Sequence, residues 1–364
     1  MKPNLKVFAF TAVLGTTLAL PTHRVLAHNP PASDDGGAAL IASRLRFETV
    51  DLSALSPLAS ALPVSRVEPR PDAARNFTFD WTSSTVSYLV YVESTTGEVT
   101  ISLPSGPERP YSTGPTASFV YPGGDEAVTA GKYGFTVDGG GSAAATVKSQ
   151  GRVGSQPSSG ILDLNLFVLE GCGLTTTGLS EGLAVFDDVY RDAGIRLGNI
   201  TVVKVTGASS FLSPGTYEEA ESAFRSLSRQ LTASPPNRLA ANLFFTKRVA
   251  NVYGYSQGIP AALGILGTSS GGVVISIEAH LTDGGFDSRE FGLTMAHEVG
   301  HSMGLYHTSE SDGSLHDTIS DTPRCAGGDA GGCPDGSNIM FWSGTFPEIT
   351  SGQAFVLRRS PIVR

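Results

Sequence analysis

The chain has 364 residues, of which 40% are hydrophobic, and this is enough for two ordinary domains, each with its own core. Charged residues make up only 16% of the chain, which also holds 43 glycines. This balance favours β-rich or loop-rich extracellular folds and argues against a coiled coil. The formal net charge is −9, and an acidic surface repels phosphate backbones, so we expect no nucleic-acid partner.

The first 27 residues have the pattern of a signal peptide. Lys2 and Lys6 precede an apolar run from 7 to 20, and Ala27 offers a small residue for cleavage. The run is too short to span a bilayer comfortably, and no later segment approaches about 20 uninterrupted apolar residues. We therefore expect a secreted, extracellular protein without a membrane anchor. The alternative is that the apolar run forms a buried helix.

Three segments follow the signal peptide. Residues 28 to 75 are rich in Pro, Ala, Ser and Asp, which predicts a low-complexity tether or pro-segment. Alternating apolar and polar residues from 76 to 149, separated by turn residues, predict a small all-β sandwich-like accessory or pro-domain. Residues 150 to 160 have the composition of an interdomain linker.

The residues from 161 to 354 have the pattern of an α/β (α+β) domain, in which strands and helices alternate. The predicted elements are strands at 162–169, 200–205, 241–246 and 273–277, and helices at 181–193 and 217–231. This order predicts a partly parallel, mixed sheet with helices packed on it. A last helix is predicted to begin near Ser288, which is the expected N-cap.

Three cysteines allow at most one internal disulfide. Cys325 and Cys333 are the predicted pair, because the glycine-rich residues between them are flexible enough to close a small ring. Cys172 is then a free thiol. We interpret it as a buried structural residue in preference to a redox or regulatory group.

The last predicted helix carries His297, Glu298 and His301, and Gly304 and His307 complete the pattern H-E-x-x-H-x-x-G-x-x-H. Histidines four residues apart project from one helix face, so their imidazoles can bind one ion. The third histidine needs a turn, because ten residues of helix would carry it about 15 Å along the axis. Gly304 lies where that turn is needed, and glycine adopts left-handed φ without steric cost.

Glu298 is the predicted general base of this site. Three histidine ligands leave a fourth position on Zn²⁺ for water, and a neighbouring carboxylate can take the proton of that water as it attacks a carbonyl. A closed structural zinc site would supply a fourth protein ligand and would not need the carboxylate. The alternative is that these side chains form a solvated helix face.

The motif resembles that of the metzincin zinc metalloproteases, whose signature adds a methionine turn downstream. The run Asn338-Ile339-Met340 is similar to that turn, and the resemblance implies that Met340 lies beneath the zinc site. The run G-L-Y-H-T from Gly304, the segment 317–323, the cysteine pair and N-I-M look like the pappalysin or cytophagalysin branch. The resemblance covers about residues 160 to 350.

The resemblance implies a metzincin-like catalytic domain that acts as a zinc endopeptidase on polypeptide substrates. Asp317 and Asp321 are candidate Ca²⁺ ligands in a family-like loop, and the alternative is that both are solvated surface carboxylates. Trp342 stands where some metzincins place a tyrosine, so that tyrosine's role is absent. Two other functions stay open: a surface-binding, adhesin-like protein with a vestigial protease domain, and an enzyme acting on a non-peptide amide or ester. The intact Glu298 argues against the first.

Overall fold

The structure, a computed structural model, describes residues 35–52, 75–94, 99–102, 115–139, 145–343 and 346–364. The predicted signal peptide and part of the predicted tether lie outside these residues. No helix within the described ranges is long and apolar enough to cross a membrane.

The helices and strands are numbered along the chain. The helices are α1 (Asp35–Ala42), α2 (Thr176–Asp192), α3 (Tyr217–Leu231), α4 (Ser288–Ser302) and α5 (Ser351–Arg359). The strands before the predicted linker are β1 (Leu45–Asp51), β2 (Arg75–Trp81), β3 (Thr85–Ser94), β4 (Val99–Ser102), β5 (Thr116–Tyr121), β6 (Gly131–Gly139) and β7 (Ala145–Val153). The later strands are β8 (Gly160–Leu169), β9 (Ile195–Thr206), β10 (Ala240–Thr246), β11 (Gly254–Ser256), β12 (Val273–Ser276), β13 (Leu281–Thr282) and β14 (Gly285–Phe286).

A six-stranded sheet, here called the central sheet, has the order β1-β9-β8-β10-β12-β11. Four of its neighbouring pairs are parallel, and β11 runs antiparallel to β12 at one edge. Parallel neighbours need a crossover connection, which α2 supplies between β8 and β9 and α3 between β9 and β10. The prediction of a mixed α/β fold with a mixed sheet is confirmed.

Both faces of the central sheet are covered by helices. On one face, Leu166 of β8 packs in a cluster with Phe186 of α2 and Met295 of α4. On the other face, Phe167 of β8 packs in a cluster with Phe224 of α3. Successive residues of a strand point to opposite faces, so a strand covered on both sides is apolar almost throughout. The end of β8, from Leu166 to Leu169, has this composition.

Two antiparallel sheets of three strands each, with the orders β2-β6-β4 and β5-β3-β7, lie between β1 and β8 in the chain. Their shared core includes Phe79, Val90 and Phe119. The other face of β3 does not face water, because Leu89 and Tyr91 pack with Ala262 and Ile265 beside the central sheet. The extent of the predicted all-β domain stays a prediction.

Three segments differ from the sequence prediction. Part of the predicted tether at 28–75 is α1, which buries Ile41 in the core, and β1, which pairs with β9. The strand β7 reaches Val153, inside the predicted linker at 150–160. The helix α5 continues past the predicted end at 354, and the chain stays buried through Val363. The side chains of β1 are mostly exposed, so the strand lacks the alternation that sequence analysis relies on.

His280 is a buried histidine that links the central sheet to α4. Its Nδ1 donates to the carbonyl of Ser276 at 2.7 Å, and its Nε2 accepts from the hydroxyl of Thr294 at 3.0 Å. Burial lowers its pKa from 6.5 to about 4. Because the folded pKa lies below the unfolded one, the unfolded chain takes up the proton first as pH falls. The stability linked to His280 is therefore complete above pH 6.5 and is lost as pH falls towards 4.

As pH falls from neutral to 4, proton uptake by His280 in the unfolded chain should lower the free energy of unfolding by roughly 3 kcal/mol. His280→Gln should flatten that part of the pH dependence in urea unfolding followed by circular dichroism. His316→Gln, which changes a histidine outside this contact, is the matched control. An unchanged pH profile in the His280 variant would contradict the assignment.

Candidate metal centre

The helix α4 positions the first part of the candidate site. It begins at Ser288 and is capped by Asp287, whose carboxylate accepts from the Glu290 amide at 2.9 Å, so the predicted N-cap was wrong by one residue. The four-residue spacing within α4 brings the rings of His297 and His301 together, with 4.6 Å between their centroids. Most of the helix is buried against α2 and the central sheet, which fixes the direction of this face.

A turn after α4 brings in the third histidine. The helix ends at Ser302, and Gly304 adopts a φ of +110°, in the region that favours glycine. The ring of His307 then lies 4.7 Å from that of His301 and 5.4 Å from that of His297, measured between centroids. One nitrogen of each ring lies within 4.8 Å of the others. The structure thus brings together the three histidines that the sequence singled out.

The second nitrogen of each ring is held by a partner from another segment. Nδ1 of His297 donates to the carbonyl of Ile339 at 2.6 Å, and Nδ1 of His301 donates to that of Leu305 at 2.7 Å. Nδ1 of His307 faces a third partner, a carboxylate oxygen of Glu310, at 3.1 Å. Carbonyl and carboxylate oxygens only accept, so each Nδ1 carries a proton, and a ring with no second proton has its lone pair on Nε2.

The Nε2 atoms therefore present lone pairs to one another. Those of His301 and His307 are 3.2 Å apart, where two lone pairs repel unless a proton or a cation lies between them. Burial and the neighbouring His307 lower the pKa of His297 to about 3, so that ring is neutral. Three imidazoles whose Nδ1 protons are engaged and whose Nε2 atoms face one another have the donor set of a catalytic zinc site. The residues present fit Zn²⁺.

Glu298 is buried beside this cluster, at 8% exposure. Burial raises the pKa of its carboxyl to about 8, and a hydrogen bond from the Ser256 amide on β11 acts in the opposite direction. A Cβ at Gly254, on the same strand, would lie 3.1 Å from Glu298 Cγ and 2.9 Å from the carbonyl of Val274. Glycine at this position therefore leaves the room that the glutamate side chain occupies.

The segment from Asn338 to Met340 holds the ring of His297 through the carbonyl of Ile339. Met340 is fully buried, and its backbone amide donates to the side-chain oxygen of Asn338 at 2.9 Å. That side chain exchanges two hydrogen bonds with the buried amide of Gln353 on α5, at 2.9 and 2.8 Å. The turn is thus fixed to α5, and its Ile339 carbonyl is the one that receives His297.

The other predicted residues lie in the loop after His307. The predicted disulfide between Cys325 and Cys333 is present, and Cys172 is a buried free thiol. The side chain of Asp317 accepts from the Thr322 hydroxyl at 2.5 Å, and that of Asp321 accepts from the amide of residue 352 at 2.9 Å. Both carboxylates thus have structural partners. The Ca²⁺ assignment stays a prediction.

Sequence reasoning missed several residues that shape the site. Glu310 faces His307, and Gly254 and Ser256 adjoin Glu298. Asp335 accepts from the hydroxyl of Thr308, the residue after the third histidine, at 2.7 Å. Gly254 stands between Tyr253 and Tyr255, and a glycine within a strand-like run can indicate that another group approaches the backbone closely. Glu310 and Asp335 come from loops without periodicity, and Ser256 belongs to a strand of three residues, which is too short to show a pattern.

The comparisons with known proteins leave the family open. No protein-family model matches the chain, and no curated protein matches it. Archaemetzincin from Methanopyrus kandleri is a similar solved structure, at 18% identity and a TM-score of 0.32, covering 57% of this chain and 90% of that one. Metalloproteinase-II from Bacteroides fragilis follows at 13% identity and a TM-score of 0.33, covering 54% of this chain and 51% of that one.

A mutant of a family two carbohydrate esterase from Clostridium thermocellum is also similar, at 10% identity and a TM-score of 0.15, covering 48% of this chain and 70% of that one. All three identities are below 25%, and all three TM-scores are below 0.5. The likenesses therefore support no conclusion about the activity of this chain. What the site can do follows from its own geometry.

Gly300 gives a test of the packing beneath the histidines. A Cβ there would lie 2.9 Å from Met340 Sδ and 3.5 Å from Leu305 Cδ1. Because Met340 is fully buried, Gly300→Ala should force it to move and lower the free energy of unfolding by about 1–3 kcal/mol. Urea unfolding measures this. Gly37→Ala in α1, where a Cβ meets its neighbour at 3.8 Å, should be neutral or stabilising. Equal effects of the two changes would contradict the packing described.

Proposed function

We propose that the chain is a secreted, zinc-dependent endopeptidase of the metzincin kind that hydrolyses peptide bonds. The observation that carries this proposal is the arrangement of three imidazoles. Their Nδ1 protons are held by outside acceptors, their Nε2 atoms converge, and a buried glutamate lies beside them. Such a donor set, with a carboxylate that is not a ligand, is typical of a catalytic site and not of a closed structural one.

Bound Zn²⁺ would supply Lewis-acid polarisation of a water molecule and of the substrate carbonyl. Glu298 in its carboxylate form accepts a proton and can return it to the leaving amine, and the positive charge of a bound cation would favour that form over the protonated form that burial favours. The backbone amide of Ser256 orients that carboxylate, and burial limits its exchange of protons with bulk water. Ile339, Leu305 and Glu310 keep the three rings aimed at one point, which avoids reorganisation during the reaction.

The edge strand β11 supports a polypeptide substrate. Hydrogen bonds to β12 involve Tyr253 and Gln257, so the backbone groups of Gly254 and Ser256 point to the other side of the strand. This side adjoins Glu298, whose carboxylate accepts from the Ser256 amide, and an extended peptide can pair with the other backbone groups of this edge. Pairing would lay a scissile bond alongside the histidines. A small amide or ester has no use for this strand, which favours the peptidase over the non-peptide alternative.

The remaining parts of the proposal have separate support. The pattern of residues 1 to 27 supports export, and the runs between Gly304 and Met340 support the pappalysin or cytophagalysin branch. A vestigial site in an adhesin-like protein has no reason to keep Glu298 buried, because burial of a carboxyl group is costly without a chemical role. The buried glutamate therefore favours an active enzyme.

Glu298→Gln tests the role of the carboxylate. The variant keeps the size and burial of the side chain but cannot accept a proton, so hydrolysis of an unfolded polypeptide should fall about 10²–10⁴-fold. Bound zinc, measured by mass spectrometry of the metal, should stay at one per chain. Glu181→Gln, an exposed glutamate of α2, is the matched control and should keep full activity. Near-normal hydrolysis by the Glu298 variant would rule out this mechanism.

His301→Ala tests the ligand assignment. Two remaining histidines make a poor zinc site, so both bound zinc and hydrolysis should be lost. His316→Ala is the control, because His316 lies outside the cluster and its Nδ1 contacts Ser309 at 3.1 Å. If the His301 variant retained stoichiometric zinc after dialysis, the proposed site would be wrong.

A further inference from the structure

A cavity of about 500 Å³ opens where the first residues of β1, β8 and β9 meet. It lies on the β1 side of the central sheet, whereas α4 contacts β11 and β12 at the other edge. With about 4.8 Å between neighbouring strands, the path from β9 to β11 measures roughly 19 Å. The cavity is therefore separate from the histidine cluster, and a ligand bound in the cavity would not cover the three histidines.

Four arginines line this cavity: Arg44, Arg46, Arg196 and Arg364. The described residues of the lining include no aspartate or glutamate. Arg44 is oriented by a hydrogen bond to the carbonyl of Leu197 at 3.2 Å, and Arg364 by backbone hydrogen bonds with Ile161 at 2.7 and 3.1 Å. The whole chain has a net charge of −9, so the four guanidinium groups around this opening are opposite in sign to the net charge.

The carboxylate of Asp163 neutralises only one of these arginines. It accepts from Arg364 at 2.8 and 3.1 Å. Its oxygens also accept from the Asn199 amide at 2.7 Å and from the side chain of Asn237 at 2.8 Å, and the residue is 3% exposed. Asp163 is therefore occupied inside the fold. No carboxylate of the described chain forms an ion pair with the other three arginines.

We propose that this cavity binds a ligand with clustered oxyanions, such as a chain of phosphates or a sulfated sugar. Guanidinium groups bind phosphate and sulfate oxygens through paired N–H donors, and this geometry suits neighbouring arginines. Three guanidinium groups that have no carboxylate partner among the described residues favour a ligand with several anionic groups, since a single carboxylate would balance only one. The cavity volume leaves room for such a ligand. The site would hold the protein to an anionic substrate or surface while the histidine cluster stays accessible.

Titration calorimetry with two probes tests the site in the full-length, zinc-loaded protein at low ionic strength. Tripolyphosphate represents clustered phosphates, and sucrose octasulfate represents sulfated sugars. At least one of them should bind, and binding should weaken at about 0.15 M salt because exposed charges are screened. The double variant Arg46→Gln/Arg196→Gln should lose about tenfold or more in affinity for the probe that binds. Arg248→Gln, which changes an exposed arginine outside the cavity, should lose less than about twofold.

The titration is repeated after removal of zinc, because tripolyphosphate can itself bind the metal. Equal affinity with and without zinc places the phosphate binding away from the histidines. Binding of one probe alone supports the site and identifies the source of the oxyanions. The proposal is overturned if neither probe binds, if the double variant binds as tightly as the original chain, or if all binding disappears with the zinc. Circular dichroism of each variant confirms that it is folded.

Discussion

The orientation of three imidazole rings is the constraint on which the site depends. Each ring is fixed through its Nδ1 proton, and the three acceptors come from three different segments: the turn at Ile339, the turn at Leu305 and the loop at Glu310. Two of the rings stand on one helix, but the helix alone does not set their rotation. The site therefore depends on two local contacts just after α4 and on the return of the distant turn at Ile339.

Each of these places is held by its own set of contacts. The turn at Ile339 is tied to α5 through the paired amides of Asn338 and Gln353, and removing either amide would leave the other buried without its partner. The helix α5 is in turn capped by Thr350, whose side chain accepts from the amide of Gln353. Near its end, Arg359 donates to the carbonyl of Val86 in β3. A chain of hydrogen bonds thus links the histidines to the antiparallel sheets.

Residue spacing in the sequence predicted the features that depend on neighbours close in the chain. The helix at 217–231 has the bounds that its spacing predicted, because Thr216 and Glu219 form a capping box at its start. The spacing of His297 and His301 likewise determines that their rings lie together. The contact of Glu310 with His307 could not be predicted, because it is made within a loop. The strand β1 could not be predicted either, because its position depends on pairing with β9. Neither a contact within a loop nor a strand partner distant in the chain leaves a periodic trace in one sequence.

The position of the antiparallel sheets in the chain has a topological consequence. They follow β1 and precede β8, and these two strands belong to the same central sheet, so the sheets are an insertion within that unit and not a module in front of it. A single cut between Val153 and Gly160 would leave α1 and β1 in the same fragment as the inserted sheets. Ser87, bonded to the Arg359 carbonyl at 2.5 Å, and Ser118, bonded to that of Pro260, would still bridge the two fragments. Cleavage there would yield a nicked, two-chain protein whose halves complement each other.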